Sequence, residues 1–314
     1  MFRRLAGVLF IFFIGTSCAF AQQDKVRLEV ITTLFPTYDF ARQVGGEKVN
    51  VFLLLPPGVE AHAFEPKPQD VVRINKADVF IYTGRYMEPW VEDLLKGVSN
   101  KKLVVVDSSR GIDLMDERDH DEDDHDEEEE GGHHHHGGKD PHIWLDLANA
   151  QIMVDNIAGA LAEKDPANND FYLENAREYK IKLADLDRRF KETLATAKHK
   201  TIIYGGHFAF GYFAKRYGLE YDSPYEGFSP NAEPSPRAIA ELIDKLNASG
   251  IKYIYYEELL DPKVARAIAQ ETGARLELLH GAHNLSKDGL KKGVTFLDVM
   301  EDNLKKLKAG LECR

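Results

Sequence analysis

The chain has 314 residues, of which 43% are hydrophobic, and it carries a formal net charge of −12 at pH 7. This length exceeds a single typical core, so we expect two domains. The net negative charge argues against nucleic acid as a partner, because such partners require a basic face.

The N-terminus has the three parts of an export signal. Met1–Arg4 is basic, Leu5–Ile14 is an apolar run too short to span a bilayer, and Ala19–Ala21 is an A-x-A cleavage sequence. We therefore predict a signal peptide at 1–21 and an exported, periplasmic mature protein. A retained signal anchor is the alternative.

Cysteine usage adds one further possibility. Cys18 lies where a lipoprotein signal would end, although Gly15 stands at a position that is usually aliphatic. We favour cleavage after Ala21, with a lipid anchor on Cys18 as the alternative. Cys313 then has no partner in the mature chain, so the fold is not expected to depend on disulfides.

Apolar strands and amphipathic helices alternate in the first half of the chain. Strands are predicted at Val26–Thr32, Val49–Leu55, Ala77–Tyr82 and Lys102–Val106, and helices at Phe35–Val44, Pro68–Asn75, Met87–Lys96 and Leu147–Lys164. This alternation predicts a parallel sheet covered by helices on both faces. We assign residues 22–166 to an N-terminal α/β lobe.

An acidic, histidine-rich stretch at 116–139 interrupts this lobe. It holds twelve carboxylates against two basic side chains, so it accounts for ten of the twelve net negative charges. It offers no apolar surface for a core and is predicted to be a disordered loop. Six of the twelve histidines of the chain lie in it, namely His120, His125, His133, His134, His135 and His136. Imidazole and carboxylate at this density predict weak binding of a divalent cation, with zinc as the expected ion.

One long helix is predicted after the N-terminal lobe. Apolar residues recur at spacings of three and four from Tyr172 to Ala197, and no glycine or proline interrupts Ala167–Lys200. A helix of about 30 residues would be about 45 Å long. We expect the segment 167–199 to be a rigid connection between two lobes.

Strand–helix alternation then resumes and defines a C-terminal α/β lobe at 200–314. Strands are predicted at Thr201–Tyr204, Leu219–Asp222, Tyr253–Tyr256 and Arg275–Leu279, and helices at Phe208–Tyr217, Pro236–Asn247, Pro262–Thr272 and Thr295–Ala309. The predicted fold class is α/β, with two lobes that each contain a mostly parallel sheet and one long helix between them.

Four histidines outside the acidic stretch lie at corresponding places, just beyond the C-terminal ends of strands or in the loops that follow: His62, His142, His207 and His280. Ligands of open α/β sheets bind at that edge, so a cleft between the lobes could bring four imidazoles together around zinc. His283 is an alternative to His280, which is preferred because it directly ends a strand.

Several motifs carry a family resemblance. The segment LPPGVEAHAFEPKPQD at Leu55–Asp70 resembles the P-P-G-x-x-P-H-x-[YF]-E-P-x-P motif of the zinc and manganese solute-binding proteins of ABC uptake transporters. Further similarities, in family order, are DPHIWLD at Asp140–Asp146, GGHFAFGYF at Gly205–Phe213 and the EPSP run at Glu233–Pro236. They span nearly the whole mature chain.

The resemblance implies that His62, His142 and His207 are metal ligands. Histidine at the third position is typical of the zinc-type branch, whereas glutamate is typical of manganese types, and imidazole does suit zinc better. Family members often have an aspartate after the last strand, where this chain has His280. Glu60 is a further possible oxygen ligand. The implied function is capture of Zn(II) and its delivery to an ABC permease by a protein expected to be a monomer.

Other functions remain open at this point. Mn(II) is the alternative metal, and a zinc buffer or a surface adhesin could use the same scaffold. A zinc hydrolase is a further alternative, since catalytic zinc commonly keeps three protein ligands and an open position. The chain has no H-E-x-x-H sequence and no nucleophile motif, so we expect it not to be an enzyme.

Overall fold

The computed structural model describes residues 27–116, 138–207, 209–225 and 234–314. The predicted signal peptide at 1–21, Cys18 and the six histidines of the acidic stretch lie outside these described residues. The two ends of that stretch do lie within them. Asp116 and Lys139 form an antiparallel bridge and an ion pair, so the two ends of the stretch lie next to each other.

A four-stranded parallel sheet forms the first half. Its strands are β1 (Leu28–Thr32), β2 (Val49–Leu53), β3 (Val79–Tyr82) and β4 (Val104–Asp107), in the order β2-β1-β3-β4. Strand β1 pairs with both β2 and β3, and its Val30 lies opposite Val51 and Val79. Because all four strands are parallel, the loops that leave them emerge at one edge of the sheet.

Helices cover this sheet where the sequence predicts them. They are α1 (Phe35–Gly45), α2 (Pro68–Ile74), α3 (Val91–Lys96) and α4 (Leu147–Lys164). Asp146 is the N-cap of helix α4, and its side chain accepts a hydrogen bond from the backbone N–H of Ala148 at 2.6 Å. This cap fixes the start of α4 directly after the segment that carries His142.

The long helix α5 spans Asn169–Ala195, which is 27 residues and about 40 Å. It is shorter than the prediction at its C-terminal end. There the Lys200 ammonium donates to the carbonyl of Leu194 at 2.6 Å, and the Thr196 hydroxyl donates to that of Thr193 at 2.8 Å. These side chains satisfy terminal carbonyls that would otherwise remain without helical partners.

The second half contains two parallel strand pairs. Strand β5 (Thr201–Ile203) pairs with β6 (Glu220–Asp222), and β7 (Tyr253–Tyr256) pairs with β8 (Arg275–Leu278). A parallel bridge between Tyr204 and Tyr255 joins the two pairs. The helices are α6 (Gly211–Tyr217), α7 (Pro236–Ser249), α8 (Lys263–Thr272), α9 (Lys287–Lys291) and α10 (Phe296–Gly310). The short helix α9 was not predicted.

One hydrophobic core contains residues from both halves of the chain. Helix α10 packs against α1 and α5, and the buried Asp39 carboxylate of α1 accepts from the Phe296 N–H at 3.0 Å and the Tyr179 hydroxyl at 3.2 Å. Parallel sheets flanked by helices, together with one long helix, confirm the predicted α/β class. The lobe boundaries at 166–167 and 199–200 stay a prediction. Within the described ranges, no helix has the length and apolar character needed to cross a membrane.

Candidate metal centre

Four histidines from distant parts of the chain converge in the structure. His62, His142, His207 and His283 each offer one ring nitrogen, and these four atoms lie within 4.8 Å of one another. His142, His207 and His283 are buried, and His62 is partly exposed. His62 is therefore the member of the cluster that is most exposed to solvent.

The four rings are arranged as a tetrahedron. All six distances between their ring centroids fall between 5.0 and 5.6 Å, and four points at nearly equal separations are the corners of a tetrahedron. Nitrogens bound at 2.0–2.1 Å to a tetrahedral zinc lie about 3.3 Å apart. The Nε2 atoms of His62 and His142 are 3.2 Å apart, which matches that separation.

Each histidine reaches the cluster from a different loop. His62 lies in the loop that follows β2, and His142 directly precedes the turn of 3₁₀ helix that leads into α4. His207 follows β5, and His283 lies five residues beyond the end of β8. The cluster thus contains side chains that follow strands of the four-stranded sheet and of both strand pairs, at the carboxyl-terminal ends where ligands of parallel sheets commonly bind.

Three carboxylates form hydrogen bonds with the Nδ1 atoms of three of these rings. The Nδ1 atom of His142 is 2.8 Å from Asp140 Oδ1, and that of His283 is 3.0 Å from Glu258 Oε1. The Nδ1 atom of His207 forms a short hydrogen bond with Glu257 Oε2. A carboxylate at Nδ1 keeps the proton on that nitrogen and directs the Nε2 lone pair toward a cation.

Two of the inward nitrogens are buried without a partner. Among the residues described, the Nε2 atoms of His207 and His283 make no hydrogen bond and are shielded from solvent. A buried polar atom without a partner is costly, typically by about 1–3 kcal/mol. A bound cation would satisfy both atoms at once.

Burial and mutual proximity keep part of the cluster neutral. Burial, together with His283 and His207 nearby, lowers the pKa of His62 to about 2. The same causes, burial first, lower the pKa of His142 well below its usual range. Burial also acts against a proton on His283, but the hydrogen bond and negative charge of Glu258 outweigh it and raise the pKa of that ring. His283 is therefore protonated more readily than His62 or His142 as the pH falls.

His280, the preferred fourth ligand in the sequence prediction, lies outside the cluster, whereas its alternative His283 lies within it. The Nδ1 atom of His280 accepts a hydrogen bond from the Ala282 N–H at 2.9 Å and lies 3.4 Å from Glu258 Oε1. Ala282 takes a left-handed backbone conformation with φ of 58°. The chain therefore turns after the end of the strand, and His283, which follows this turn, lies next to the other three rings.

Glu60, the further oxygen ligand considered from the sequence, forms hydrogen bonds within the loop that carries His62. Its two carboxylate oxygens accept from the backbone N–H groups of His62 and Ala63, both at 2.8 Å. The carboxylate shapes the loop that carries His62, and Glu60 is not among the clustered groups. The loop histidines from His120 to His136 lie outside the described residues.

Trp144 forms a wall of the cluster. Its indole ring is buried, with its centroid 5.5 Å from that of His142 and 5.3 Å from that of His283. Its Nε1–H donates to the carbonyl of Gly281 at 2.8 Å. The ring therefore shields two imidazoles from water and links the segment that carries His142 to the turn that carries His283.

The sequence interpretation missed the supporting carboxylates. Glu257 and Glu258 directly follow β7, so they lie at the same sheet edge as the histidines, and the rule used for the imidazoles applies to them equally. Asp140 stands two residues before His142, within the DPHIWLD segment. Acidic residues at these positions could have been predicted to form hydrogen bonds with the histidine rings and so to orient them.

The chain is similar to known zinc-uptake proteins. The family described as "Zinc-uptake complex component A periplasmic" matches residues 30–310. The chain is 42% identical over 285 residues to the high-affinity zinc uptake system protein ZnuA of Bacillus subtilis, which covers 91% of this chain and 88% of that protein.

Solved structures are also similar. The metal-dependent lipoprotein YcdH from Bacillus subtilis has a TM-score of 0.76 and 39% identity, covering 91% of this chain and 99% of the other. The Zn(II)-bound ZnuA-like domain of Streptococcus pneumoniae AdcA has a TM-score of 0.75 and 34% identity, with the same coverage of both chains. On the match over residues 30–310 and these similarities, the chain belongs to the family of periplasmic zinc-uptake component A proteins.

Proposed function

We propose that this protein captures Zn(II) outside the cytoplasmic membrane and delivers it to the membrane permease of an ABC uptake system. His62, His142, His207 and His283 would bind the ion. The observation that carries the proposal is the tetrahedral arrangement of four imidazoles, three of them held by carboxylates at Nδ1. The zinc-uptake relatives support the direction of transport.

The donor set favours zinc over manganese. Imidazole nitrogen suits zinc, whereas manganese prefers carboxylate and other oxygen ligands. The carboxylates near the cluster are engaged with ring Nδ1 atoms and backbone N–H groups rather than grouped with the four ring nitrogens. We therefore propose Zn(II) as the transported ion and Mn(II) as a weaker competitor.

The family consists of metal-binding transport components and not of enzymes, so the protein is not a zinc hydrolase. The proposed ligand set agrees with this. Four protein ligands would close a tetrahedral zinc site, whereas catalytic zinc keeps a position open for water or substrate.

The localisation and partners follow from the same proposal. A periplasmic mature protein, formed by cleavage after Ala21, would meet its permease at the membrane surface, with lipid attachment at Cys18 as the alternative. We propose that the protein acts as a monomer. The acidic stretch would hold zinc weakly and raise its local concentration near the cluster.

Calorimetry on metal-stripped protein tests the proposal. We expect one tight zinc site per chain, together with weaker binding. The matched variant replaces residues 117–138 with Asn-Gly, a two-residue turn that suits the antiparallel pair Asp116 and Lys139. This variant is expected to keep the tight site and to lose the weak ones.

Stoichiometry then separates the alternatives. Several sites of equal affinity would favour a zinc buffer over a transport protein. Loss of the tight site on removal of residues 117–138 would contradict the assignment of that site to the four-histidine cluster. A protein that binds zinc tightly but does not restore zinc-dependent growth to cells lacking their own zinc-capturing component would contradict delivery to a permease.

Zinc affinity is expected to fall with acidification, because metal and proton compete for the same nitrogens. His62 and His142 have lowered pKa values and stay neutral, whereas His283, whose pKa is raised, takes up a proton more readily than either of them. Because two of the four proposed ligands have no proton to lose, the logarithm of the affinity should decrease by less than three per pH unit. Chelator competition between pH 8 and 5 measures this slope, and a slope of three or four would contradict it.

A further inference from the structure

Asn284 joins two loops that lie 225 residues apart in sequence. Its side chain is fully buried, and its Nδ2 group donates to the carbonyl of Pro56 at 2.7 Å and to that of Val59 at 2.9 Å. Pro56 and Val59 belong to the loop that carries His62, and Asn284 directly follows His283. The Asn284 side-chain amide thus connects the two loops that carry His62 and His283.

Backbone hydrogen bonds reinforce this connection. The N–H of Gly58 donates to the carbonyl of Leu285 at 2.9 Å, and the N–H of Phe35 donates to that of His283 at 3.2 Å. Together with the Trp144 bond to Gly281, these contacts attach the segment 281–285 to the first half of the chain. The segment is late in sequence, but it packs with the loop at 56–62.

That loop has little regular structure of its own. Between the end of β2 and the start of α2 it forms turns without a helix or strand, and Gly58 has a positive φ of 80°. Each ordered backbone residue costs roughly 1–2 kcal/mol of conformational entropy. Without a partner for its carbonyls, this loop would hold the His62 ring over a wider range of positions.

We propose that Asn284 is a positioning residue that fixes the His62 loop and the His283 turn as one preformed half of the metal site. This inference rests on the proposed function, because it concerns zinc binding by the same cluster. It assigns to Asn284 no contact with the ion. The residue acts by setting the distance between two imidazoles that enter the site from opposite ends of the chain.

The substitution Asn284→Asp removes the two donated hydrogen bonds with little change in size. A carboxylate would face the carbonyl oxygens of Pro56 and Val59, and three acceptors repel one another in a buried space. The bond that Asn284 Oδ1 accepts from the Leu285 N–H at 2.8 Å can persist. The substitution therefore breaks the hydrogen bonds between the two loops and can keep the hydrogen bond within the loop of Asn284.

The matched control is Asn156→Asp. The Asn156 side chain also donates from Nδ2 to two carbonyls, those of Ser108 at 3.0 Å and Arg110 at 2.8 Å, but it lies on α4 and its hydrogen bonds go to the segment that follows β4. This variant loses an equivalent pair of hydrogen bonds at another place in the fold. Any effect of general destabilisation on zinc binding should appear in both variants.

Two measurements on the full-length mature protein decide the question. Zinc affinity by chelator competition should fall about 10- to 100-fold in Asn284→Asp, the range typical of residues that orient metal ligands, and stay near the wild-type value in Asn156→Asp. Co(II), used as a spectroscopic probe, should give intense tetrahedral bands with wild type and Asn156→Asp and weaker bands of higher coordination with Asn284→Asp.

An Asn284→Asp protein with wild-type zinc affinity would overturn the inference. Weakened affinity with an unchanged Co(II) spectrum would also overturn it, because the donor geometry would then be intact. If circular dichroism shows that Asn284→Asp is unfolded, Asn284→Ser takes its place with the same expected results. Failure of the wild-type protein to bind zinc would instead refute the proposed function.

Discussion

Replacing His283 with asparagine is expected to weaken zinc binding by more than about 100-fold, beyond the range seen when only an orienting residue is lost. Asparagine can still donate to Glu258 from the position of Nδ1, but it has no atom in the place of the inward Nε2. The site would lose one of four nitrogens while the turn kept its support. Chelator competition on metal-stripped protein measures the loss.

The same substitution at position 280 serves as the control. Asparagine at residue 280 can accept from the Ala282 N–H as the His280 ring does, in an Asx turn, so the backbone is preserved. We expect His280→Asn to change zinc affinity by less than about tenfold, since the ring supports the turn without joining the cluster. Equal losses in both variants, or a larger loss at residue 280, would show that the ligand assignment is wrong.

The substitution Gly281→Ala is expected to weaken zinc binding about 10- to 100-fold without unfolding the protein. A Cβ atom at residue 281 would lie 2.5 Å from Cε1 and 2.7 Å from Nδ1 of His283. The backbone of Gly281 is not in the left-handed region, so alanine can adopt its conformation. The expected effect of alanine therefore comes from the steric clash of its Cβ atom with the imidazole. The ring must move, and its hydrogen bond to Glu258 must lengthen.

Gly159→Ala provides the matched control for this effect. Gly159 is exposed on α4, and beyond the adjacent backbone of its own helix a Cβ atom there meets no atom within 4 Å. Alanine in a helix interior is favoured over glycine by about 0.5–1 kcal/mol, so this variant should unfold at a slightly higher temperature and bind zinc normally. Thermal unfolding and the competition assay are run on both variants. Normal zinc affinity in Gly281→Ala would contradict the close packing of the His283 ring on Gly281.

The stretch between Asp116 and Lys139 has one property that follows from its local sequence and another that follows from tertiary packing. The composition of 116–139 predicts that the stretch makes no core, because carboxylates and imidazoles cannot bury apolar surface. That its two ends meet as an antiparallel pair follows from their packing against the rest of the fold. Met115 N–H donates to the Tyr212 hydroxyl at 2.9 Å, and that hydroxyl donates to the Asp140 carbonyl at 3.1 Å.

By itself, the sequence determined the α/β alternation, the long helix and the edge at which His62, His142 and His207 would meet. These features follow from local periodicity and from the rule that parallel strands end on one side of a sheet. Only the tertiary structure decided the fourth member of the cluster. His283 takes that place because of the left-handed turn at Ala282, the carboxylate of Glu258 and the attachment of its segment to the loop at 56–59. These are contacts between residues far apart in the chain, and they leave no periodic pattern in the sequence.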